Sequence, residues 1–94
     1  MPAYWFSSAN VTDEAALADY AKLARPAIEK HGGRYLARGG RHVRLEGADW
    51  ERHVIIEFPS LEVAEACYRS PEYQEALVFA KKAVQRDACI VEGL

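Results

Sequence analysis

The sequence predicts an α+β fold in which four antiparallel strands form one sheet and the helices lie on one face of it. The first observation is the order of the patterns, since strand-like and helix-like segments follow one another as β-α-β-β-α-β. The second is the central stretch 34–58, where two strand-like segments are separated by glycines and a polar turn. The 94 residues form one domain, 1–94, with a modest core.

The first strand and the first helix are each marked by a pattern of their own. Residues 3–11 (AYWFSSANV) are rich in aromatic residues, which indicates a strand. Thr12 and Asp13 are both favourable N-cap residues, and apolar residues then recur at helical spacing up to Lys30. The pair Gly32-Gly33 supplies the backbone freedom with which a helix commonly ends.

Two further strands are predicted over 34–38 and 52–58. Alternation along the first places three residues on one face, namely Arg34, Leu36 and Arg38. Alternation along the second places four residues on one face, which the apolar ones assign to the helices, namely Arg52, Val54, Ile56 and Phe58. The opposite face then carries His53, Ile55 and Glu57. Since both faces of the sheet carry apolar groups, we expect a second copy of the chain to cover the face away from the helices, in a homodimer.

The last third of the chain is predicted to form a helix in two pieces and a closing strand. Ser60 and Ser70 are typical N-cap residues, and the two pieces are expected over 61–69 and from Pro71 to about residue 85. Residues 88–92 are predicted to be the fourth strand. This order of elements is typical of the ferredoxin-like, split βαβ arrangement.

Charge and composition argue against several classes of function. The chain has 12 Lys and Arg against 14 Asp and Glu, a net charge of -2, whereas nucleic-acid-binding domains are usually basic. No apolar run approaches the roughly 18 residues that cross a membrane, and no signal peptide is visible, so that a cytoplasmic location is expected. Cys67 and Cys89 are expected to be reduced core residues. The three histidines have no metal-binding spacing, and neither a metal nor a cofactor is predicted.

The sharpest candidate for a functional residue is Glu57. Its carboxylate lies among apolar residues of a strand, where a charge is costly unless it is paired. One interpretation is a structural salt bridge with Arg38 inside the dimer cavity. The other is a ligand anchor or general base, with Arg38 binding an anionic ligand through two hydrogen bonds.

The remaining candidates each have a structural alternative. Tyr20 and Tyr73 could point hydroxyl groups into a cleft between helix and sheet, but aromatic residues are more often part of a core. Asn10 could orient a ligand or cap a turn. His53 shares the face of Glu57 but lies about 13 Å along the strand, so that a catalytic pair would need a second chain or a bend in the strand.

Four arginines within eleven residues form a basic stripe, namely Arg34, Arg38, Arg41 and Arg44. A solvated edge of the sheet explains this stripe, because like charges on edge strands discourage aggregation. The alternative is a site for phosphate or carboxylate. A nucleotide-binding glycine motif, a P-loop and a nucleophile elbow are absent from the sequence.

Several strings of the sequence resemble the DUF1330 family, within the dimeric α/β-barrel superfamily. They are AxPAIxKxGGRYLxRGG, LEGxDW, VIIEFPSLEVAEAxYxSPEYQ and the closing VEG, and they extend over nearly the whole chain. The resemblance implies a ferredoxin-like subunit that pairs into a barrel-like dimer. It implies no activity, because the family is one of unknown function, and the superfamily includes cofactor-free monooxygenases, haem-using enzymes, lactone isomerases and stress-related proteins.

Three functions stay open on this basis. The first is a small-molecule-binding protein whose ligand lies in the cavity between the sheet and the dimer partner, with Glu57 and Arg38 as polar anchors. The second is a cofactor-free enzyme of the monooxygenase or isomerase type. The third is a non-catalytic interaction scaffold, which predicts a filled cavity.

Overall fold

The computed structural model describes all residues, 1–94, and confirms the predicted α+β, ferredoxin-like fold. The elements in chain order are β1 (Ala3–Val11), α1 (Glu14–Lys30), β2 (Arg34–Arg38), β3 (Arg52–Phe58), α2 (Leu61–Arg69), α3 (Pro71–Ala83) and β4 (Val84–Glu92). The strands form one antiparallel sheet in the order β2-β3-β1-β4. None of the helices is both long and apolar enough to pass through a membrane.

Each helix begins at a cap residue that the sequence predicts, with Asp13 rather than Thr12 as the cap of α1. Asp13 Oδ1 accepts a hydrogen bond from the Ala16 amide at 3.1 Å, and Ser60 Oγ accepts one from the Val63 amide at 3.1 Å. Ser70 Oγ accepts from the Tyr73 amide at 3.2 Å and donates to the Cys67 carbonyl at 2.7 Å. Ser70 therefore both ends α2 and begins α3, which divides the second helical segment into two pieces.

The boundary between α3 and β4 differs from the prediction. A helix to about residue 85 with a strand over 88–92 is wrong, because the helix ends at Ala83 and the strand begins at Val84. All nine residues of β4 pair with the nine residues of β1, from Val11↔Val84 to Ala3↔Glu92. The hydrogen bonds of this long pairing outweigh the local helical pattern.

A second difference lies in β2. The register between β2 and β3 shifts between Tyr35 and Ala37, so that Tyr35 pairs with Ile56 and Ala37 with Ile55. An extra residue in one strand reverses the alternation of the side chains that follow it. Arg38 therefore lies on the same face as Tyr35, and the predicted grouping of Arg38 with Arg34 and Leu36 is wrong.

The core lies between the helices and the face of the sheet that carries Trp5, Ile56 and Phe58. The Trp5 ring packs 5.0 Å from the ring of Tyr73 and 5.9 Å from that of Phe58, measured between centroids. Cys67 is buried in this core, as expected, whereas Cys89 is exposed, contrary to expectation, and both thiols are free.

The other face of the sheet, which we call the open face, has no helix on it. It presents Phe6 at its centre, beside Ile55 on β3 and Cys89 on β4, and Val91 lies nearer the end of β4. The exposed fractions of Phe6, Ile55 and Val91 are 43%, 39% and 49%. The uncovered apolar face that the strand pattern predicts is therefore present, and Phe6 is not a core residue.

Residues 39–51 connect β2 and β3 without a helix or strand, so that Arg41 and Arg44 of the basic stripe lie in irregular chain rather than on an edge strand. The amide of Glu51 donates to Asn10 Oδ1 at 2.9 Å and fixes the end of this loop to β1. This contact gives Asn10 a structural role, and its predicted role in orienting a ligand stays a prediction.

Candidate functional site

A cleft of about 270 Å³ lies between α1 and the helix-covered face of the sheet. Nineteen residues line it, of which 13 are hydrophobic. The cleft is formed by a single chain, on the face of the sheet opposite the one where a dimer partner was expected.

The floor of the cleft changes character along the strands. Trp5, Ile56 and Tyr35 form one row across β1, β3 and β2, and this row is mostly apolar. The next row contains Ser7, Val54 and Arg38. In the third row Ala9 lies between Arg52 on β3 and Arg86 on β4. The floor therefore changes from apolar to cationic over three rows.

Helix α1 provides the roof. Four residues at helical spacing face the cleft, namely Leu17, Tyr20, Ala21 and Ile28. Ala21 and the neighbouring Ala18 are small, and such side chains leave space between helix and sheet. Arg25 and Glu14 on the same helix also line the cleft.

Tyr20, Tyr73 and Arg86 form a hydrogen-bonded group at the wall of the cleft. The two phenol oxygens are 2.7 Å apart, and Arg86 donates to Tyr73 at 2.9 Å and to Tyr20 at 3.4 Å. Tyr73 is fully buried and Arg86 has only donors, so that the Tyr73 proton has the Tyr20 oxygen as its acceptor. The Tyr20 proton is then free for an acceptor in the cleft.

Protonation in this group follows from burial. Loss of solvent raises the pKa of Tyr73 well above its usual value, with a further increase from Tyr20, so that the phenol stays neutral. Burial acts to lower the pKa of Arg86, but its interactions with the two tyrosines raise it overall, and the guanidinium stays charged.

Arg38 reaches the cleft because of the bulge in β2. Its guanidinium carbon lies 4.6 Å from the centre of the Tyr35 ring, within the range of a cation–π contact. Burial, and then Tyr20, raise the pKa of Tyr35, while Arg38 and Arg25 act to lower it. Tyr35 is therefore a neutral phenol between arginines.

The guanidinium of Arg52 lies against Gly39. Gly39 has a φ of +67°, and a Cβ at this residue would overlap the guanidinium of Arg52. Only glycine adopts this backbone without strain and also leaves room for the arginine. The adjacent Gly40 has open space where a Cβ would be.

The cleft contains four arginines and one acidic residue, namely Arg25, Arg38, Arg52, Arg86 and Glu14. The three salt bridges of the protein lie elsewhere and join Lys30 to Glu72, Arg34 to Glu57 and Arg69 to Glu65. None of the four guanidinium groups in the cleft therefore has a carboxylate partner.

The residues predicted from the sequence divide between the two faces of the sheet. Tyr20 and Arg38 line the cleft, and Tyr73 lies behind Tyr20. Glu57, His53 and Asn10 belong to the open face. The predicted salt bridge between Glu57 and Arg38 is wrong, because Glu57 Oε1 pairs with Arg34 Nη2 at 2.8 Å and Arg38 lies on the other face.

His53 has partners of its own on the open face. Its Nδ1 lies 2.9 Å from Ser8 Oγ, and its ring packs edge-on against His42 at 4.5 Å between centroids. These contacts do not include Glu57, so that one chain brings no His53–Glu57 pair together.

Sequence reasoning missed Arg25, Arg52 and Arg86. Arg52 had a visible signal, since it is a charge on the strand face that otherwise carries Val54, Ile56 and Phe58. The signal for Arg86 was hidden by the wrong start of β4, because the predicted helix ended at about residue 85 and the predicted strand began only at Ala88. Arg25 shows no pattern that distinguishes it from a solvent-exposed helical arginine.

Comparison with solved structures supports the fold. A protein of unknown function from Rhodopseudomonas palustris is similar with a TM-score of 0.80 and 22% identity, over 99% of this chain and 82% of that one. A dimeric ferredoxin-like protein of unknown function from Jannaschia sp. CCS1 is similar with a TM-score of 0.67 and 12% identity, over 99% and 100%. SnoaB from Streptomyces nogalater, a cofactor-independent oxygenase, is similar with a TM-score of 0.70 and 7% identity, over 99% and 93%.

At these identities the likeness concerns the fold alone. No curated protein is significantly similar in sequence. The family model whose description is "Domain of unknown function (DUF1330)" matches residues 2–94, and the chain therefore belongs to the DUF1330 family.

Proposed function

We propose that this protein is a homodimer in which each subunit binds a small organic molecule in the cleft beneath α1. The cleft itself supports this function most directly: about 270 Å³ of space, lined mainly by apolar side chains with a few convergent polar groups. Ligand sites commonly have this composition. The volume of this cleft lies just below the lower end of their usual range, which is about 300 Å³. The ligand is thus assigned to the helix-covered face, and not to the space between the sheet and a partner chain.

The open face supports self-association. Phe6, Ile55 and Val91 form an exposed apolar surface on the sheet, of a kind that usually marks an interface. Fold relatives from Jannaschia and Bacteroides fragilis are described as dimeric. Two open faces packed against each other would remove this surface from water and leave both clefts accessible.

A cofactor-free enzyme is the second candidate, and one observation favours it. The Tyr20 hydroxyl and the arginines point donors at a mostly apolar space, and such donors stabilise an oxyanion during proton abstraction or oxygenation. Turnover would appear as consumption of a compound that also binds. A scaffold without a ligand explains the open face but not the open cleft.

A cavity-filling substitution tests the binding function. Ala21 lines the cleft, whereas Ala15 lies on the exposed side of the same helix. We expect Ala21→Phe to fill the cleft and to abolish the rise in melting temperature that small aromatic and alicyclic compounds, charged and neutral, produce with the natural protein. Ala15→Phe is the matched control and should keep the response.

Thermal melts in the presence of such a panel provide the measurement. If no compound raises the melting temperature of the natural protein, or if Ala21→Phe responds as strongly as Ala15→Phe, the cleft is not the binding site.

A further inference from the structure

We propose that the ligand of the cleft is a small organic anion, a carboxylic acid with a flat apolar body, whose carboxylate binds among the arginines. This inference rests on the proposed function and adds the chemical class of the ligand. Three independent features of the cleft support it: its charge, the direction of its hydrogen bonds and the order of its rows.

The charge of the cleft is opposite to that of the chain. Four arginines against one glutamate leave three net positive charges in the cleft, while the whole chain has a net charge of -2. The acidic residues are therefore elsewhere on the molecule. Arg52 and Arg86 are half-buried, whereas Arg25 and Arg38 are exposed. Half-buried charges are normally paired, and no carboxylate lies within salt-bridge distance of any of the four guanidinium groups. A ligand carboxylate supplies the missing partner.

The hydrogen-bonding groups of the cleft also favour an anionic ligand. Arginine offers only donors, and a guanidinium matches a carboxylate with two parallel bonds. The buried Tyr73 donates to Tyr20, which leaves the Tyr20 proton to be donated into the cleft. Arg86 is held in place by the two phenol oxygens at 2.9 and 3.4 Å, so that it is oriented before any ligand arrives. A molecule with acceptors on one end fits these donors.

The rows of the floor determine the orientation and the shape. The apolar end of the cleft is formed by Trp5 and Ile56 from the floor and Ile28 from the roof. At the cationic end, Ala9 lies between Arg52 and Arg86. Arg38 lies between these two ends, on the middle row. A ligand with its ring against Trp5 and its carboxylate towards Ala9 satisfies both ends. Inorganic phosphate satisfies only the arginines.

Isothermal titration calorimetry with two matched pairs of probes tests this class: benzoate with benzamide, and 2-naphthoate with 2-naphthamide. Each pair has the same ring and differs in charge. We expect at least one acid to bind, and its amide to bind at least tenfold more weakly. We also expect inorganic phosphate to bind more weakly than that acid.

Variants assign the effect to the cleft. Arg38→Gln and Arg86→Gln should each weaken binding of the acid at least fivefold and reduce the difference between acid and amide. Arg34→Gln is the control, because Arg34 is an exposed arginine on the open face, and it should leave binding unchanged. Melting curves of all three variants confirm that each is folded before titration.

The outcomes separate the two proposals. An amide that binds as tightly as its acid, with binding lost in Ala21→Phe, keeps the binding function and overturns the anionic class. If phosphate binds as tightly as the acid, the ligand does not need an apolar body. If Arg34→Gln loses acid binding while Arg38→Gln and Arg86→Gln keep it, the acid does not bind in the cleft. The absence of binding by all four probes overturns the anionic class, and the wider panel of compounds then decides on the binding function.

Discussion

At the scale of single residues, the cleft depends on arginines whose positions are fixed by unlike neighbours. Arg86 is held by two phenols, Arg38 packs on the Tyr35 ring, and Arg52 lies over Gly39. Alternation of side chains predicted the faces of β3 correctly but gave the wrong face for Arg38. A bulge depends on the pairing of two strands, and the sequence of one strand does not reveal it.

Gly39 offers a test of how Arg52 is positioned. Gly39→Ala would place a Cβ against the Arg52 guanidinium at a residue with a φ of +67°, so that we expect a loss of about 1–2 kcal/mol in the free energy of unfolding. Binding of an aromatic acid should also weaken. Gly40→Ala is the control, since a Cβ there meets no atom within 4 Å. Urea unfolding of both variants provides the measurement, and equal stability would show that neither the backbone nor Arg52 constrains residue 39.

At the scale of helices and strands, local chemistry determined where helices begin, and pairing determined where strands begin. The caps at Asp13, Ser60 and Ser70 could be recognised in the sequence because the hydrogen bond is made within three residues. The start of β4 at Val84 could not, because it depends on Val11 more than seventy residues away along the chain. The same limit hid Arg86 from sequence reasoning.

The double role of Ser70 gives a prediction at this scale. Ser70 Oγ makes two hydrogen bonds in a buried position, whereas Ser60 Oγ makes one in a half-buried position. We expect Ser70→Ala to lower the free energy of unfolding by about 2 kcal/mol and Ser60→Ala by about 1 kcal/mol. Chemical denaturation of the two variants compares them directly. A smaller effect at Ser70 than at Ser60 would contradict the joining role of this side chain.

At the scale of the whole molecule, the sheet separates two surfaces of different character. The helix-covered face contains the cleft, and the open face presents apolar groups to solvent. The sequence predicted both faces from strand alternation, but it placed the ligand on the open one. The reason is that Glu57, the most conspicuous charge in a strand, lies there, and its partner proved to be the exposed Arg34. Tyr20 and Tyr73 indicated a cleft between helix and sheet, whereas the faces of Arg38 and Arg86 depend on how their strands pair.

The open face leads to the prediction about assembly. We expect the natural protein to elute as a dimer, at twice the 10.5 kDa of one chain, when size-exclusion chromatography is coupled to light scattering at micromolar concentration. Phe6 lies at the centre of the open face, opposite Ile55 on one side and Cys89 on the other. Phe6→Glu would place a carboxylate in the interface without a partner, and the dimer should therefore dissociate.

The control for this change lies on a helix. Val78 is an exposed apolar residue of α3, with 55% of its surface accessible, and it is outside the open face. Val78→Glu adds the same charge to the same chain and should remain a dimer. If the natural protein is a monomer, or if Phe6→Glu and Val78→Glu elute alike, the two open faces do not pack against each other. Because each cleft is built from one chain, a monomeric Phe6→Glu variant should still bind the ligand of the natural protein, which separates assembly from binding.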